Sequence, residues 1–188
     1  RGYSITISPI QKAHILQLVI SSIQSCAEWS GLALCLINII VEYNLSLSDD
    51  RLMALFPWAG IHIHQEDEPG ISYGSRTFID HLYDNLQNSC LIVKGVRSVL
   101  EGEMSVYDGF HIAVATYIIR YRISELYEFI PSLMQRFEYD YERLNIIVDL
   151  LQLGNHGLKI SREVLSYLSE EDKIYYYERL LLNDNKGL

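Results

Sequence analysis

Between Ala13 and Val41 the chain carries a single formal charge, Glu28, and of the two uncharged pieces on either side of it, residues 13–27 are rich in apolar side chains and residues 29–41 are almost wholly apolar. A helix that is hydrophobic all round is not stable on a wet surface and has to be covered. Neither piece reaches the roughly 20 residues that a membrane span requires. The solution left for a folded chain is a helical hairpin running through the middle of a core. Ser8 followed by Pro9 supplies its start, an N-cap with proline at the first helical position. Trp29-Ser30-Gly31 supplies the break between its arms. Ile10, His14, Leu16, Leu18, Ile20 and Ile23 are then expected to leave very little polar surface on the first arm, and Tyr3, Ile5 and Ile7, which alternate with small residues, predict a short extended lead-in.

The same grammar of cap and stripe recurs along the rest of the sequence. Ser48 reads as an N-cap with Asp49 and Asp50 in the first turn of a short helix that ends before Pro57. Residues 57–74 read as a polar loop between helices. Ser75 opens an element with Phe78, Ile79, Leu82, Leu86 and Cys90 at helical spacing and Asp80, Asp84 and Gln87 opposite them, with Gly95 as the point of division from VRSVLEG. Ser105 caps a helix bearing Phe110, Ile112, Val114, Tyr117 and Ile118, closed by Arg120 and Arg122. Ser124 starts another, which Pro131 must end or kink because proline lacks a donor and clashes with the preceding turn. From Pro131 to Leu153 the stripe Met134, Phe137, Tyr141, Leu144, Val148 and Leu151 predicts one helix, stopped by Gly154. Ser161, with Val164 and Leu165, and Ser169, with Glu170, Glu171 and Asp172, open the last two helices.

Every long segment therefore points to helix. With no linker, low-complexity run or fixed-period repeat, residues 1–188 are expected to form a single compact all-α domain of about seven to nine packed helices, a bundle or an array of hairpins.

Charge narrows the function. The sequence holds 24 acidic and 15 basic side chains, a net charge of −9. Nucleic-acid binding draws its affinity from Lys and Arg displacing counterions, so this balance argues against a DNA or RNA partner and for a basic protein partner. Cys26, Cys35 and Cys90 lack CxxC spacing and sit in apolar stretches, where free thiols are expected to pack as small hydrophobes in a reducing, cytoplasmic setting. A membrane partner is not expected, and a homodimer is compatible with the composition.

Enzyme chemistry finds little support in the motifs. In PWAGIHIHQEDEPG, His62 and His64 would share one face of an extended strand, with Ile61 and Ile63 on the other. Together with Glu66 and Asp67 they form the one candidate metal set, which would suit a divalent-metal hydrolase. Yet HExxH and any other spacing that selects zinc are absent, and flanking Pro57, Pro69 and Gly70 favour a surface loop. There is no GxSxG elbow and no GxxxxGK[ST] loop, and GNHG at 154–157 falls short of the dinucleotide pattern. Asp80 with His81, and Asp108 with His111, only loosely resemble the Glu-x-x-His pairs of di-metal bundles. The structural expectation is Asp80 on an exposed face and His111 as a satisfied core or boundary imidazole. No cofactor and no catalytic residue are expected.

FEYDYE, residues 137–142, is the more informative segment. If Phe137 and Tyr141 belong to the buried stripe, Glu138, Tyr139, Asp140 and Glu142 surround the exposed side of the same helix. Aromatic rings and carboxylates together suit an interface with a basic partner. Tyr175, Tyr176 and Tyr177 beside Glu170, Glu171 and Asp172 repeat the combination, with Ile174 and Leu181 on the apolar side. The expected role is a protein-binding module, most concretely an immunity-type inhibitor that masks a basic toxin domain such as a nuclease. The expected contact residues are Glu138, Tyr139, Asp140, Glu142, Glu170, Glu171, Asp172, Tyr175 and Tyr176. A viral or regulatory adaptor that captures a partner helix is the third reading.

Overall fold

A computed structural model describes residues 7–23, 30–63, 76–107, 109–137, 139–150, 153–166 and 168–184. Among them are ten α-helices and two 3-10 segments, and the nearest approach to a sheet is an isolated antiparallel bridge between His62 and Thr77. The fold is all-α as expected. The chain groups into two compact units, Arg1–Asp108 and Gly109–Leu188, each with its own core.

In the first unit, α1 (Pro9–Ile23) begins as the sequence predicts. Gln11 N–H donates to Ser8 Oγ at 3.3 Å and Ser8 N–H donates to Gln11 Oε1 at 2.8 Å, a reciprocal capping box. Its placement differs from the expectation. Only Val19 and Ile23 are buried, while Ile10 and Leu18 are 72% and 67% exposed. Polar Gln11, Lys12, His14, Gln17, Ser21 and Ser22 interrupt its apolar surface, so α1 offers only one stripe to its neighbours α2 (Ser30–Glu42) and α3 (Asp49–Ala54), and its other residues face outward. The central arm is α2, whose Ala33, Leu36, Ile37 and Ile40 are buried at spacings of three and four. Cys35 and Cys90 are exposed, contrary to the packed thiols expected, and Cys26 lies outside the described residues. The extended lead-in falls, but for Ile7, outside them too.

After α3, a 3-10 turn (Phe56–Trp58) carries the chain inward. In the segment read as a polar loop, Trp58, Ala59, Ile61 and Ile63 are buried. Ile63 N–H donates to Arg76 O and Phe78 N–H to Ile61 O, both at 2.8 Å, closing the base of the connection whose middle lies outside the described residues. The next helix, α4 (Phe78–Asn85), is capped by Thr77. Asp80 Oδ2 accepts from Thr77 N–H at 2.8 Å and from Thr77 Oγ1 at 3.2 Å, so Asp80 is buried rather than on an exposed face: the cap turns its carboxylate back against the chain. The break before α5 (Cys90–Leu100) falls at Leu86–Ser89 and not at Gly95. There the Asp49 carboxylate, from α3, accepts the N–H groups of Gln87 at 2.9 Å and Asn88 at 3.0 Å, and these cannot then continue a helix. Gly95 stays helical because the Phe56 ring packs on it: a Cβ there would lie 2.5 Å from Phe56 Cε1.

The second unit is built around α6 (Phe110–Arg120), seven of whose residues, Phe110 and Tyr117 among them, are buried. Its N-cap is Gly109 at φ 77°, not Ser105, since the left-handed turn into the helix is one that glycine adopts without a steric penalty. A 3-10 segment (Ser124–Phe129) leads into α7 (Ile130–Gln135), and Pro131 falls in the first turn of that helix, where a missing N–H has no partner to lose. The single helix expected from Pro131 to Leu153 is instead two, α7 and α8 (Asp140–Leu150), separated at Arg136–Tyr139. Two further helices follow, α9 (Asn155–Leu165) and α10 (Glu170–Asp184). Ser161 lies in the middle of α9, buried, rather than at its start. Ser169 caps α10 as predicted: its Oγ accepts Asp172 N–H at 3.1 Å.

Gly95→Ala therefore sets a helix-propensity gain of up to about 1 kcal/mol against an overpacked Phe56, and overpacking of a rigid ring wins. A net loss of roughly 1–3 kcal/mol in urea unfolding is expected. Gly31→Ala, where a Cβ would meet nothing within 4 Å, should cost no stability. Equal unfolding midpoints for the two variants would contradict this packing.

Candidate functional site

Two places on the molecule gather polar and aromatic side chains. The first is a cleft of about 260 Å³ in the first unit, lined by Val41, Asn44, Ile63, Arg76, His81, Asp84 and Asn85. His81, Asp84 and Asn85 share one face of α4 through their spacing of three and four. Arg76, at the base of the preceding connection, forms an ion pair with Asp84. Asn85 Nδ2 donates to His81 O at 2.8 Å and lies 3.3 Å from His81 Nδ1. His81 Nε2 is buried without a hydrogen-bond partner among the described residues. The cleft holds an ion pair beside an imidazole whose Nε2 is buried.

Burial lowers the His81 pKa from its ordinary value of 6.5; the Asp84 carboxylate opposes this and Arg76 adds to it. His111, in the second unit, is also lowered by burial, with Arg136 reinforcing the effect, and its Nε2 likewise lacks a hydrogen-bond partner among the described residues. It is a boundary imidazole, as expected, though not a satisfied one.

The second place is the surface of α8 and α10, which pack together in the second unit. Tyr139, Tyr141, Tyr175, Tyr177 and Ile174 are all exposed, Tyr141 by 61%. The Tyr139 and Tyr141 rings stack, with centroids 5.5 Å apart and planes 21° from parallel. Tyr141 and Ile174 were expected on the buried side. For Tyr141 the cause is the break at Arg136–Tyr139, which lets α8 set its own phase: its core positions are Leu144, Ile146, Ile147 and Leu150, and Tyr141 lies about 120° round from Ile147. Phe137 is buried as predicted, but in the connection rather than in a helix.

The carboxylates expected at the interface also have structural duties. Glu142 Oε2 accepts Tyr139 N–H at 3.5 Å at the start of α8. Asp172 pairs with Ser169 Oγ at 2.6 Å, and Glu170 with Lys173 at 2.6 Å. Glu171 is exposed. Glu138 and the side chains of Asp140 and Tyr176 lie outside the described residues. Asp149, also on α8, is half-buried, and burial raises its pKa against the pull of Arg120. It belongs to the inner side of the helix.

Of the metal set proposed from the sequence, His62 is exposed on the face opposite buried Ile61 and Ile63, in keeping with an extended segment. His64, Glu66 and Asp67 lie outside the described residues, among which no group of three or more His, Cys, Asp or Glu side chains could hold a metal ion. Nor is any helix among them long and apolar enough to cross a membrane. The residues that sequence reasoning missed are Arg76, Asp84 and Asn85. The spacing of His81, Asp84 and Asn85 on α4 was legible, whereas the approach of Arg76 depends on how the chain returns after Ile63. No family model, curated protein or solved structure matches the chain.

The two histidines tie stability to pH. Unfolded, each binds its proton near 6.5; folded, each binds it only at lower pH. Between those values the unfolded state takes up more protons, so stability present above 6.5 is lost as pH falls through the folded pKa values. Urea midpoints should drop between about pH 7 and pH 5.5, before most carboxylates begin to titrate. His81→Asn and His111→Asn should each flatten that slope. A midpoint that is level, or that rises, over the interval would contradict the sealed imidazoles.

Proposed function

We propose that the chain is a protein-binding module that docks a basic partner on the aromatic, acidic surface of α8 and α10. The observation that carries this reading is the stacked Tyr139–Tyr141 pair, exposed at the start of α8, a helix that buries Leu144, Ile146, Ile147 and Leu150. Exposed tyrosines with few rotatable bonds are the side chains most often found at the energetic centres of interfaces. Three of them, Tyr141, Tyr175 and Tyr177, stand with Ile174 on two packed helices, and Tyr139 immediately precedes the first. The net charge of −9 selects the sign of the partner and would accelerate its approach at low salt.

The most concrete form of the proposal is an inhibitor of the immunity type. A toxin domain that grips phosphate already presents Arg and Lys, and an acidic surface would cover that groove. What supports this narrower form is charge alone.

Affinity capture from the cells that make the protein, read by mass spectrometry, tests the reading. A basic protein should be retained by the wild-type chain and lost with a Tyr141→Ala/Tyr177→Ala double variant that keeps its helical circular dichroism. The purified pair should then bind at least tenfold more weakly with the variant, on the scale of about 1–2 kcal/mol for a central tyrosine. Undiminished binding by the variant would show these rings to be ordinary surface.

A further inference from the structure

Resting on the surface proposed above, we infer that the outward face of α10 receives a basic amphipathic helix of the partner, whose apolar side chain seats on Ile174 and whose cations reach Glu171 and Glu178. Successive residues of a helix are turned by about 100°. Ile174 therefore stands near the middle of an arc that runs from Tyr177 to Tyr175, with Glu171 and Glu178 inside it, one turn before and one turn after Ile174. All five side chains are exposed, Ile174 by 60%, whereas Asp172 and Lys173, outside the arc, are half-buried. A bulky apolar residue at the centre of an open arc, between two rings, gains by being covered.

Charge decides what covers it. The helix dipole accounts for an acid at Glu171, in the first turn, but not for Glu178, two turns further on. Lys173 is held by Glu170 at 2.6 Å, and the side chains of Glu171 and Glu178 have no partner among the described residues. Arg179 directly follows Glu178, and adjacent residues of a helix do not face each other. A second copy would bring two more glutamates against these two and be repelled. Span then decides the partner's shape. Glu171 and Glu178 are seven residues apart, about 10 Å along the axis. Two cations seven residues apart on a second helix, with apolar residues between them, match that distance on one face. On an extended strand the same distance separates residues three apart, which point to opposite faces.

The isotope-labelled full chain can be titrated with two helical alanine-based peptides of one composition, the first carrying Lys-x-x-Leu-Leu-x-x-Lys and the second the same residues scrambled. Binding is read from backbone amide shifts at low salt. The patterned peptide should bind about fivefold more tightly, the scale of two exposed ion pairs, and move the amides of residues 170–178 most. Ile174→Gln, which keeps a good helix former at an exposed position, should weaken that binding by a similar factor. Glu171→Lys/Glu178→Lys should no longer bind the patterned peptide and should bind instead one with Glu in place of each Lys. Glu171→Gln/Glu178→Gln, which should erase the preference, provides a second variant should the reversed pair not fold. Tyr107→Ala, in the other unit, should leave the preference intact. Equal binding of the patterned and scrambled peptides, no binding of either, or shifts that spare residues 170–178 would overturn this inference, while capture of a basic protein could still succeed. Failed capture would remove the surface reading and this inference with it. A concentration-dependent dimer of the free chain that Ile174→Gln abolishes would overturn it too, by assigning the face to a second copy.

Discussion

The second unit depends on how Arg143 is placed. Its guanidinium reaches back from α8 to two carbonyl oxygens, Met134 O at the end of α7 and Phe137 O in the connection. Helix ends leave carbonyls without partners, and a cationic donor is the group best able to satisfy them. With those carbonyls bound, the chain can stop one helix and start another within four residues. Phe137 is then buried in the connection, and α8 begins with its own rotational phase. The outward position of Tyr141, and with it the aromatic surface, follows from that phase.

Asp49 plays the corresponding part in the first unit. Its carboxylate takes the N–H groups of Gln87 and Asn88 between the end of α4 and the start of α5. In both units a charged side chain from a neighbouring helix satisfies backbone groups at a break, and in both the break allows short helices to turn about a small core. The price is paid in exposed apolar surface: α1 leaves Ile10 and Leu18 in contact with water.

This explains what the sequence could and could not reveal. Local signals were sound where a side chain acts on its own helix: Ser8 with Gln11, Ser169 with Asp172, and the all-helical character of the chain all read correctly. They failed where a contact came from far along the chain. Nothing near Gln87 announces Asp49, and periodicity through Phe137, Tyr141 and Leu144 matches a continuous helix as well as it matches two. Gly95 misleads in the opposite sense, since its small size serves Phe56 and not a helix end. The tyrosine-rich segments were legible as candidates because their composition is unusual, but which tyrosines face outward depended on a helix phase set by Arg143.

The account turns on Tyr141 lying outside the core, which is what separates two short helices from one long one. Limited nitration of the native chain, mapped by mass spectrometry, measures this directly, with Tyr117, only 2% exposed, as the internal reference. Tyr141 should be modified early and Tyr117 only after unfolding. Protection of Tyr141 to the same degree as Tyr117 would mean that the stripe runs unbroken from Met134 and that the aromatic surface does not exist.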